Sequence, residues 1–424
     1  MTRARRRARS TALAAVLLAA VVTNGCSSSG AAPVRRSVPT TAPATTTTTS
    51  TTSTTLPSAV PTTTPTPVVP TVGWTRPVTA LPPAGGITSL SCISDVFCLA
   101  AGGGSNEADA AGSTGPGAVA AWDGATWSSP TTYYPTAPGT APPPWLPAIS
   151  CTGGPLCAVV DGSGHAVLGD GTTWSAPSTL GVAPTTSPNP ADPGPGHPGA
   201  RSAAVSCPTA QFCAYVDNTG HVATLHGTSW STPQAMTVRV GTATVGLFQS
   251  GRVGLSCADG SACTGIVGGA VLDWDGANWN VSAAPWGASA TAGDTAVSCP
   301  AAGTCVAVHG STASVRGPGS GWSVPRTIDS NGLLDSVSCP SVTVCAAADA
   351  YGDVLRMAGG VWGPAQKVVP TATAYTGDGT SLSCPSTQFC MVINGDGDYA
   401  TYQAADPPAA TTTTSPLAPV PAGA

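Results

Sequence analysis

Short segments in which apolar residues recur, separated by turns rich in glycine and proline, run along most of this chain. The clearest copy begins with residues 333–339, where polar and apolar residues alternate. Residues 344–349 form an apolar run, residues 353–357 form another short segment, and Val361-Trp362 begins a fourth. Short segments with turn signals about every 8–12 residues are typical of an all-β fold.

The same unit occurs seven times, and each copy is marked by Ser-Cys, five residues and a second cysteine. The first cysteines of successive copies are 59, 56, 50, 42, 40 and 45 residues apart. Four short strands in about 40–50 residues are the blade of a β-propeller, so the repeat predicts seven blades of four strands each. The cysteine pairs are Cys92/Cys98, Cys151/Cys157, Cys207/Cys213, Cys257/Cys263, Cys299/Cys305, Cys339/Cys345 and Cys384/Cys390.

A tryptophan follows a tight turn in the second half of each unit. Copy one reads Asp-Gly-Ala-Thr-Trp at residues 123–127, and copy two reads Asp-Gly-Thr-Thr-Trp at residues 170–174. Asp-Gly favours a hairpin turn because glycine accepts a positive φ. The tryptophan then opens the outer strand, and we expect its large apolar surface to pack between neighbouring blades. Looser copies of this signature end at Trp230, Trp279, Trp322 and Trp362.

The seventh cysteine pair has no tryptophan after it, whereas Trp74 precedes the first pair. We therefore predict that residues about 73–80 supply the outer strand of the last blade. Their pairing with the strands of residues about 381–403 would close the ring, because closure covers the strand edges that an open array exposes.

Residues 205–217, Val-Ser-Cys-Pro-Thr-Ala-Gln-Phe-Cys-Ala-Tyr-Val-Asp, carry the fullest form of the repeat. They resemble the Ser-Cys-Pro and Trp-Ser-x-Pro propeller repeats of secreted actinobacterial proteins. The Asp-Gly-x-x-Trp turn is also similar to the Asp-box of sialidase-like propellers, although it is one residue shorter. The resemblance implies the fold and export. It implies no activity, because no arginine triad can be matched and Glu107 is the only glutamate.

The composition fits a β fold and restricts the partners. Charged residues make up 8% of the chain, with 51 glycines, 42 prolines and a single lysine, so good helix formers are scarce. Residues 71–405 hold eight cationic and 19 acidic side chains, which gives a formal charge of −11. With no basic stripe, nucleic acid and anionic lipid surfaces are excluded as partners.

The N-terminus has the pattern of an export signal. Five arginines precede the apolar residues 11–22, a stretch too short to span a membrane, and we predict a signal peptide over residues 1–25. Gly25-Cys26 resembles the bacterial lipobox, although Thr23 stands where leucine is usual. Cys26 is also the one cysteine outside the repeats, so we predict its lipidation. The alternative is simple secretion, with Cys26 free or removed.

Residues 26–70 consist mainly of threonine, serine, proline and alanine, a composition that cannot bury a core. We predict a disordered linker there, a propeller over residues 71–405 and a disordered tail over residues 406–424. The linker would hold the propeller at the outer face of the cell membrane or in the cell wall, with the lipid anchor as its only membrane contact.

The repeated cysteine pairs predict seven local disulfides, since the chain is exported and each pair flanks a tight hairpin. Each bridge closes a short loop and is expected to contribute ~2 kcal/mol. A metal site is the alternative, but zinc knuckles place two to four residues between their ligands and histidine is sparse here. We predict no metal and no cofactor.

Long insertions follow the outer strands of blades one to four, and in a propeller such loops share one face. Because loops carry function more often than strands, we predict a binding surface there. The alternative is Pro/Gly-rich padding. The candidate binding residues are Tyr133, Tyr134, Trp145, Arg201, Arg239, Arg252 and Trp286.

No pair of residues is singled out as catalytic. Asp161, Asp217 and Asp349 recur just after the second cysteine and before a glycine turn, and we expect them to cap that turn. The sequence therefore favours a lipid-anchored, monomeric surface protein that displays its propeller as a binding module for a glycan or an envelope protein. The alternative is a secreted sialidase-like or other glycoside hydrolase, which clustered carboxylates in the central funnel would favour.

Overall fold

The described residues form an all-β structure. None of these residues is helical, so the described part contains no helix that could span a membrane. The predicted signal peptide, linker and tail, with Cys26, lie outside the described residues. The computed structural model describes residues 73–79, 86–103, 117–134, 147–154, 156–162, 164–181, 202–240, 243–247, 249, 251–287, 293–372 and 379–404.

Seven sheets of antiparallel strands form the ring, as the repeat predicts. Within each blade the strands are called A to D from the centre outward. Blades 1 to 4 consist of Ile87–Ser94, Phe97–Gly102, Gly117–Trp122 and Thr131–Tyr134; Ala148–Cys151, Cys157–Val160, His165–Gly169 and Ser178–Thr179; Ala203–Thr209, Phe212–Asp217, His221–His226 and Ser229–Trp230 with Gln234–Ala235; and Gly254–Asp259, Ala262–Val267, Ala270–Trp274 and Trp279–Ala283.

Blade 7 contains both ends of the described chain. Gly73 and Trp74 pair with Gln403 and Tyr402, and strand Val78–Thr79 pairs further along the same C strand. The predicted closure of the ring by the N-terminal strand is confirmed. Blades 5 to 7 consist of Thr295–Ala301, Thr304–His309, Thr312–Arg316 and Arg326–Thr327; Leu334–Ser341, Val344–Asp349, Asp353–Ala358 and Val361–Trp362 with Gln366–Lys367; and Ser381–Ser383, Phe389–Ile393, Asp398–Gln403 and Gly73–Trp74 with Val78–Thr79.

The ring has two faces, which follow from the strand order. The cysteine hairpins between A and B and the turns between C and D lie at one end of the blades, here called the hairpin face. The B–C turns and the D–A connections lie at the other end, the loop face. The chain enters strand D of blade 7 at Gly73 and leaves strand C at Gln403, and these paired residues both lie at the hairpin face.

The core lies between the blades, and the repeated tryptophan contributes to it as predicted. Trp174 packs in a cluster with Leu99 of blade 1 and Val159 of blade 2. Trp74 occupies the matching place between blades 6 and 7, where its ring centroid lies 5.5 Å from that of Tyr402. Each tryptophan thus joins its own blade to the preceding one. The others are Trp127, Trp230, Trp279, Trp322 and Trp362.

All seven predicted disulfides are present, each between the two cysteines of one blade. The paired Cα atoms are 3.9–4.1 Å apart. The bridges leave these fourteen sulfur atoms unavailable as metal ligands. They are Cys92–Cys98, Cys151–Cys157, Cys207–Cys213, Cys257–Cys263, Cys299–Cys305, Cys339–Cys345 and Cys384–Cys390.

A ring of serines links the A strands of neighbouring blades. The Oγ atom of Ser206 accepts a hydrogen bond of 2.9 Å from the backbone N–H of Cys257, the first cysteine of the next blade. The same bond forms at every junction, and Ser383 completes the circle by accepting from Cys92. The serine before each first cysteine is therefore an inter-blade contact. The remaining bonds join Ser91, Ser150, Ser256, Ser298 and Ser338 to Cys151, Cys207, Cys299, Cys339 and Cys384 respectively.

Candidate functional site

A cavity of about 180 Å³ lies on the central axis, and all seven blades contribute to its wall through their A strands or the residues just before them. Part of the wall is apolar, because residues two places before the first cysteine line it; most of them also belong to the core clusters between blades. These residues include Leu90, Ile149, Val205, Leu255, Val297 and Leu382.

The polar part of the cavity wall lies at the loop-face ends of the A strands. Most of its groups already have partners within the protein. Thr88 donates from Oγ1 to the carbonyl of Pro147 over 2.6 Å, and Ser202 donates from Oγ to the carbonyl of Gly251 over 2.8 Å. These bonds fix the ends of the A strands and leave few polar atoms for a ligand.

Asp335 is the exception in this wall. It is 4% exposed, and its Oδ2 atom accepts a hydrogen bond of 2.8 Å from the N–H of Thr380. Its Oδ1 atom has no partner. Gly379 makes room for the carboxyl, since a Cβ atom at that position would overlap Asp335 Oδ2.

Burial raises the pKa of Asp335 well above its usual range. The charge of Arg252 opposes the shift, and the carboxylates of Asp294 and Asp349 add to it. The shift favours the protonated form of Asp335. A protonated carboxyl can donate a hydrogen bond as well as accept one, which suits a polar ligand in the cavity.

Arg252, a predicted binding residue, lies beside the cavity at its loop-face end. Its backbone N–H donates to Asp294 Oδ1 over 2.6 Å. The fully buried amide of Gln249 holds the same segment: Nε2 donates to the carbonyls of Arg252 and Gly293, and Oε1 accepts from the N–H of Gly268. Gln249 thus fixes the loop that carries Arg252.

Asp161, Asp217 and Asp349 cap the B–C turns, as predicted. Asp217 Oδ1 accepts from the N–H groups of Thr219 and His221, both over 2.9 Å. Asp349 Oδ1 accepts from the backbone N–H groups of the corresponding turn in blade 6. These carboxylates are structural parts of the loop face.

The disulfide cysteines are structural residues and do not belong to the central site. None of the fourteen lines the central cavity. The second cysteine of a blade lies on strand B, one strand away from the axis, and packs into the core between blades. All seven second cysteines are at most 3% exposed, and each belongs to a different inter-blade cluster.

The other predicted binding residues do not lie together: one is on the loop face, one is in the core, and the rest have side chains outside the described part. Trp286 is partly exposed on the loop face and stacks on His309, with ring centroids 5.0 Å apart. Tyr133 is 4% exposed and packs beside Trp174 between blades 1 and 2, so it is a core residue and is removed from the surface set. It turns inward, whereas the two residues before it on the same outer strand are exposed. The side chains of Tyr134 and Arg239, and the whole of Trp145 and Arg201, lie outside the described part.

Asp335 is not among the residues predicted from the sequence. Asp335 lies four residues before the first cysteine of its blade. At the same position other blades have Thr88, Pro147 or Val253. Only an alignment of the blades on their cysteines shows an acid there. Within the described residues, no three His, Cys, Asp or Glu side chains are grouped so that they could hold a metal ion.

Comparisons with known proteins support the propeller fold. No protein-family profile and no curated protein matches this sequence. Among solved structures, YCF48 bound to a D1 peptide is similar with a TM-score of 0.50 and 15% identity, over 81% of this chain and 98% of that one. A virginiamycin B lyase from Staphylococcus aureus matches with a TM-score of 0.49 and 6% identity, over 77% and 98%. BamB from Moraxella catarrhalis matches with a TM-score of 0.41 and 12% identity, over 76% and 84%.

Proposed function

We propose that this chain is an exported, lipid-anchored and monomeric surface protein whose propeller binds an envelope component, a glycan or a protein segment. The ligand enters the central cavity from the loop face. Cys26 carries the lipid, residues 26–70 form the stalk, and the loop face contacts the partner.

The central cavity is the observation that carries this proposal. Asp335 and Arg252 lie at one end of a cavity whose wall is otherwise largely apolar or internally hydrogen-bonded. Concave sites of this kind, with a few convergent polar groups, are the usual ligand sites of proteins. YCF48, which shares the fold, has a peptide as its bound partner. That example supports a partner-binding use of the architecture.

Two further observations support the placement outside the cytoplasm and the orientation. Seven disulfides are typical of proteins that fold in an oxidising compartment. The described chain begins at the hairpin face, so a tether through residues 26–72 would attach there. The loop face would then be the face turned towards the surroundings.

Binding is tested with the full chain carrying Cys26→Ser, which keeps the protein in solution. The probes are a panel of immobilised glycans and cell-wall polysaccharides. We expect saturable binding that Arg252→Ala weakens at least tenfold, because Arg252 lies at the cavity. Arg326→Ala, which removes an exposed arginine on the outer strand of blade 5, is the matched control and should change nothing.

If no polysaccharide binds, a photo-crosslinking residue at position 252 in intact cells tests for a protein partner. The captured protein must then bind the purified chain with the same dependence on Arg252. Binding that is equally insensitive to both arginine substitutions would place the site away from the cavity and contradict the proposal.

A hydrolase is the second candidate, and the raised pKa of Asp335 favours it, because a general acid in glycoside hydrolysis must carry its proton. The same polysaccharides are incubated with the full chain and assayed for new reducing ends. Release that Asp335→Asn abolishes would establish an enzyme. Binding of a polysaccharide without release of new reducing ends would favour the binding module over the hydrolase.

The anchor is tested in cells. Cys26→Ser should move the protein from the membrane fraction into the medium, because no other membrane contact is proposed. The control is the unsubstituted chain in the same strain. Continued membrane retention of the serine variant would show that Cys26 is not the anchor.

A further inference from the structure

A second cavity, of about 280 Å³, lies at the hairpin face between blades 4 and 5. It is remote from the loop-face ends of the A strands, because its wall comes from the cysteine hairpins and the C–D turns. Asp273 and Arg316 are its polar walls, and Ala262 and Ala302 are among its small residues. Trp274 also lines it, but the ring of Trp274 stacks on Phe212 of blade 3.

The cavity exists because blade 4 lacks a side chain that fills other junctions. The residue before the second cysteine is Phe97 in blade 1 and Phe212 in blade 3, and each packs towards the next blade. Phe389 does the same between blades 7 and 1. Blade 4 has Ala262 at this position, and the space beyond it stays open.

The facing turn of blade 5 is also small. In blade 4 the turn carries Asp275, whose Oδ1 atom accepts from the N–H groups of Ala277 and Asn278. Blade 5 replaces that turn with Gly-Pro-Gly-Ser-Gly over residues 317–321. Gly317, Gly319 and Ser320 therefore line the cavity.

Arg316 stands where the other blades have an apolar or aromatic side chain or a glycine, and it forms an ion pair with Asp273. Arg316 is the cross-strand partner of the second cysteine of blade 5. Its guanidinium donates to both carboxylate oxygens of Asp273 in blade 4, over 2.8 and 2.9 Å, and also to Thr264. The corresponding residues of the other blades are Trp122, Gly169, Leu225, Trp274, Met357 and Tyr402.

This pair is poorly explained as a stabilising device. Partly exposed ion pairs such as this one contribute little to stability, and replacing a buried pair by apolar residues of similar size is often neutral or stabilising. The other blades show that apolar residues fit this position of the fold. The departure from the repeat thus coincides with the open cavity, and it supplies polar groups to the cavity wall.

The hydrogen-bonding capacity that remains indicates the ligand chemistry. Arg316 has five N–H donors, and one of the two N–H groups of Nη1 donates to Asp273 Oδ2. Asp273 remains 33% exposed at its side chain, so its oxygens can accept further bonds. The two charges cancel, which gives no preference for an ion. Adjacent donors and acceptors match the neighbouring hydroxyls of a neutral sugar.

We propose that this cavity binds one neutral hexose unit of a polysaccharide. The site is separate from the loop-face cavity, and it does not depend on what that cavity binds. It lies on the face from which both ends of the described chain leave.

The test uses the full chain carrying Cys26→Ser and the free sugars glucose, galactose and mannose. Saturation-transfer NMR detects binding, and a titration gives its dissociation constant. At least one hexose should bind. Ala262→Phe, which restores the residue of blades 1, 3 and 7, should fill the cavity and remove binding without lowering Tm. Val96→Phe, at an exposed hairpin position of blade 1, is the control of equal size and should leave binding unchanged.

A second variant keeps the cavity and removes its polar groups. Arg316→Met combined with Asp273→Thr introduces the residues of blades 6 and 3 at these positions. We expect binding at least tenfold weaker, with Tm unchanged or raised. Failure of all three sugars to bind, or binding that survives both variants, would overturn the proposal. A lower Tm with unchanged affinity would show that the pair is only structural. Arg252→Ala should leave hexose binding intact, which separates this site from the loop-face cavity.

Discussion

One repeated position shows how much a single carboxyl depends on its surroundings. The residue at the end of strand B, its last residue or the next one, is Asp161, Asp217, Asp349 or Asn394, and each accepts hydrogen bonds from the following turn. This capping role could be predicted from the sequence, because aspartate and asparagine before a glycine turn bond their own backbone. Burial raises the pKa of Asp349 to about 6, and the charges of Asp353 and Asp329 contribute to the shift. That shift could not be predicted, since Asp329 comes from a different blade.

The raised pKa makes stability depend on pH. An aspartate that ionises near 3.8 in the unfolded chain and near 6 in the folded chain destabilises the fold as pH rises through that interval. The cost is at most about 3 kcal/mol above pH 6 and disappears below the unfolded pKa. Its Oδ2 atom has no partner that could offset this cost.

We therefore expect Asp349→Asn, the residue of blade 7, to raise the free energy of unfolding at pH 7.5 by about 1–3 kcal/mol. Near pH 4 the gain should vanish. Denaturant titrations of the full chain at the two pH values measure it. Asp161→Asn is the control, because Asp161 Oδ2 lies 2.9 Å from the ring of His165 and the substitution should give no gain. An equal gain at both pH values would refute the pKa explanation.

At the scale of the blade, the cysteine spacing was sufficient to predict the strands, the disulfides and the tryptophan packing. The serine of each Ser-Cys pair was equally regular, but its role was not predicted. A serine beside a cysteine on a strand has no local partner, and the N–H that it accepts from belongs to the next blade. Contacts between blades depend on how the ring curves. The residue pattern within one blade carries no information about that curvature.

Loss of one serine should weaken a junction measurably. Ser206→Ala leaves the backbone N–H of Cys257 without its 2.9 Å partner, and an unsatisfied group of this kind costs about 1–3 kcal/mol. Thermal unfolding of the full chain measures the change. Ser129→Ala, at an exposed position after the turn of blade 1, should change Tm little. Equal effects of the two substitutions would show that the serine ring is not a specific stabilising element.

At the scale of the whole molecule, the sequence analysis predicted how the ring closes because seven cysteine pairs and seven tryptophans are offset by one blade. The position of the central cavity also follows from a ring. Its polar character does not, because it depends on single residues such as Asp335 at inner positions whose neighbours lie on other blades. The cavity beside Arg316 was missed for the same reason.

Opening the ring should be costly. Trp74→Ala removes an aromatic group packed between blades 6 and 7, and we expect a loss of ~2–4 kcal/mol. Val78→Ala, in the same closing segment but 53% exposed, is the control and should cost little.

Deletion of residues 72–81 should unfold the propeller or cause it to associate through the uncovered strand edge. A monomer with unchanged Tm after the deletion would contradict closure by this strand.

The closing strand also determines the order in which the strands pair while the protein is synthesised. Thr75 and Thr401, which meet in blade 7, are 326 residues apart, whereas every disulfide joins cysteines only six residues apart. Each blade can therefore be cross-linked as soon as its own hairpin is made, without waiting for distant partners. The N-terminal strand of the described residues is nevertheless the one that pairs last, since domains form from the N-terminus during synthesis. A chain that stops short of residue 398 can hold most of its blades oxidised and still have no partner for this strand. Completion of the ring thus reports that translation has passed residue 403.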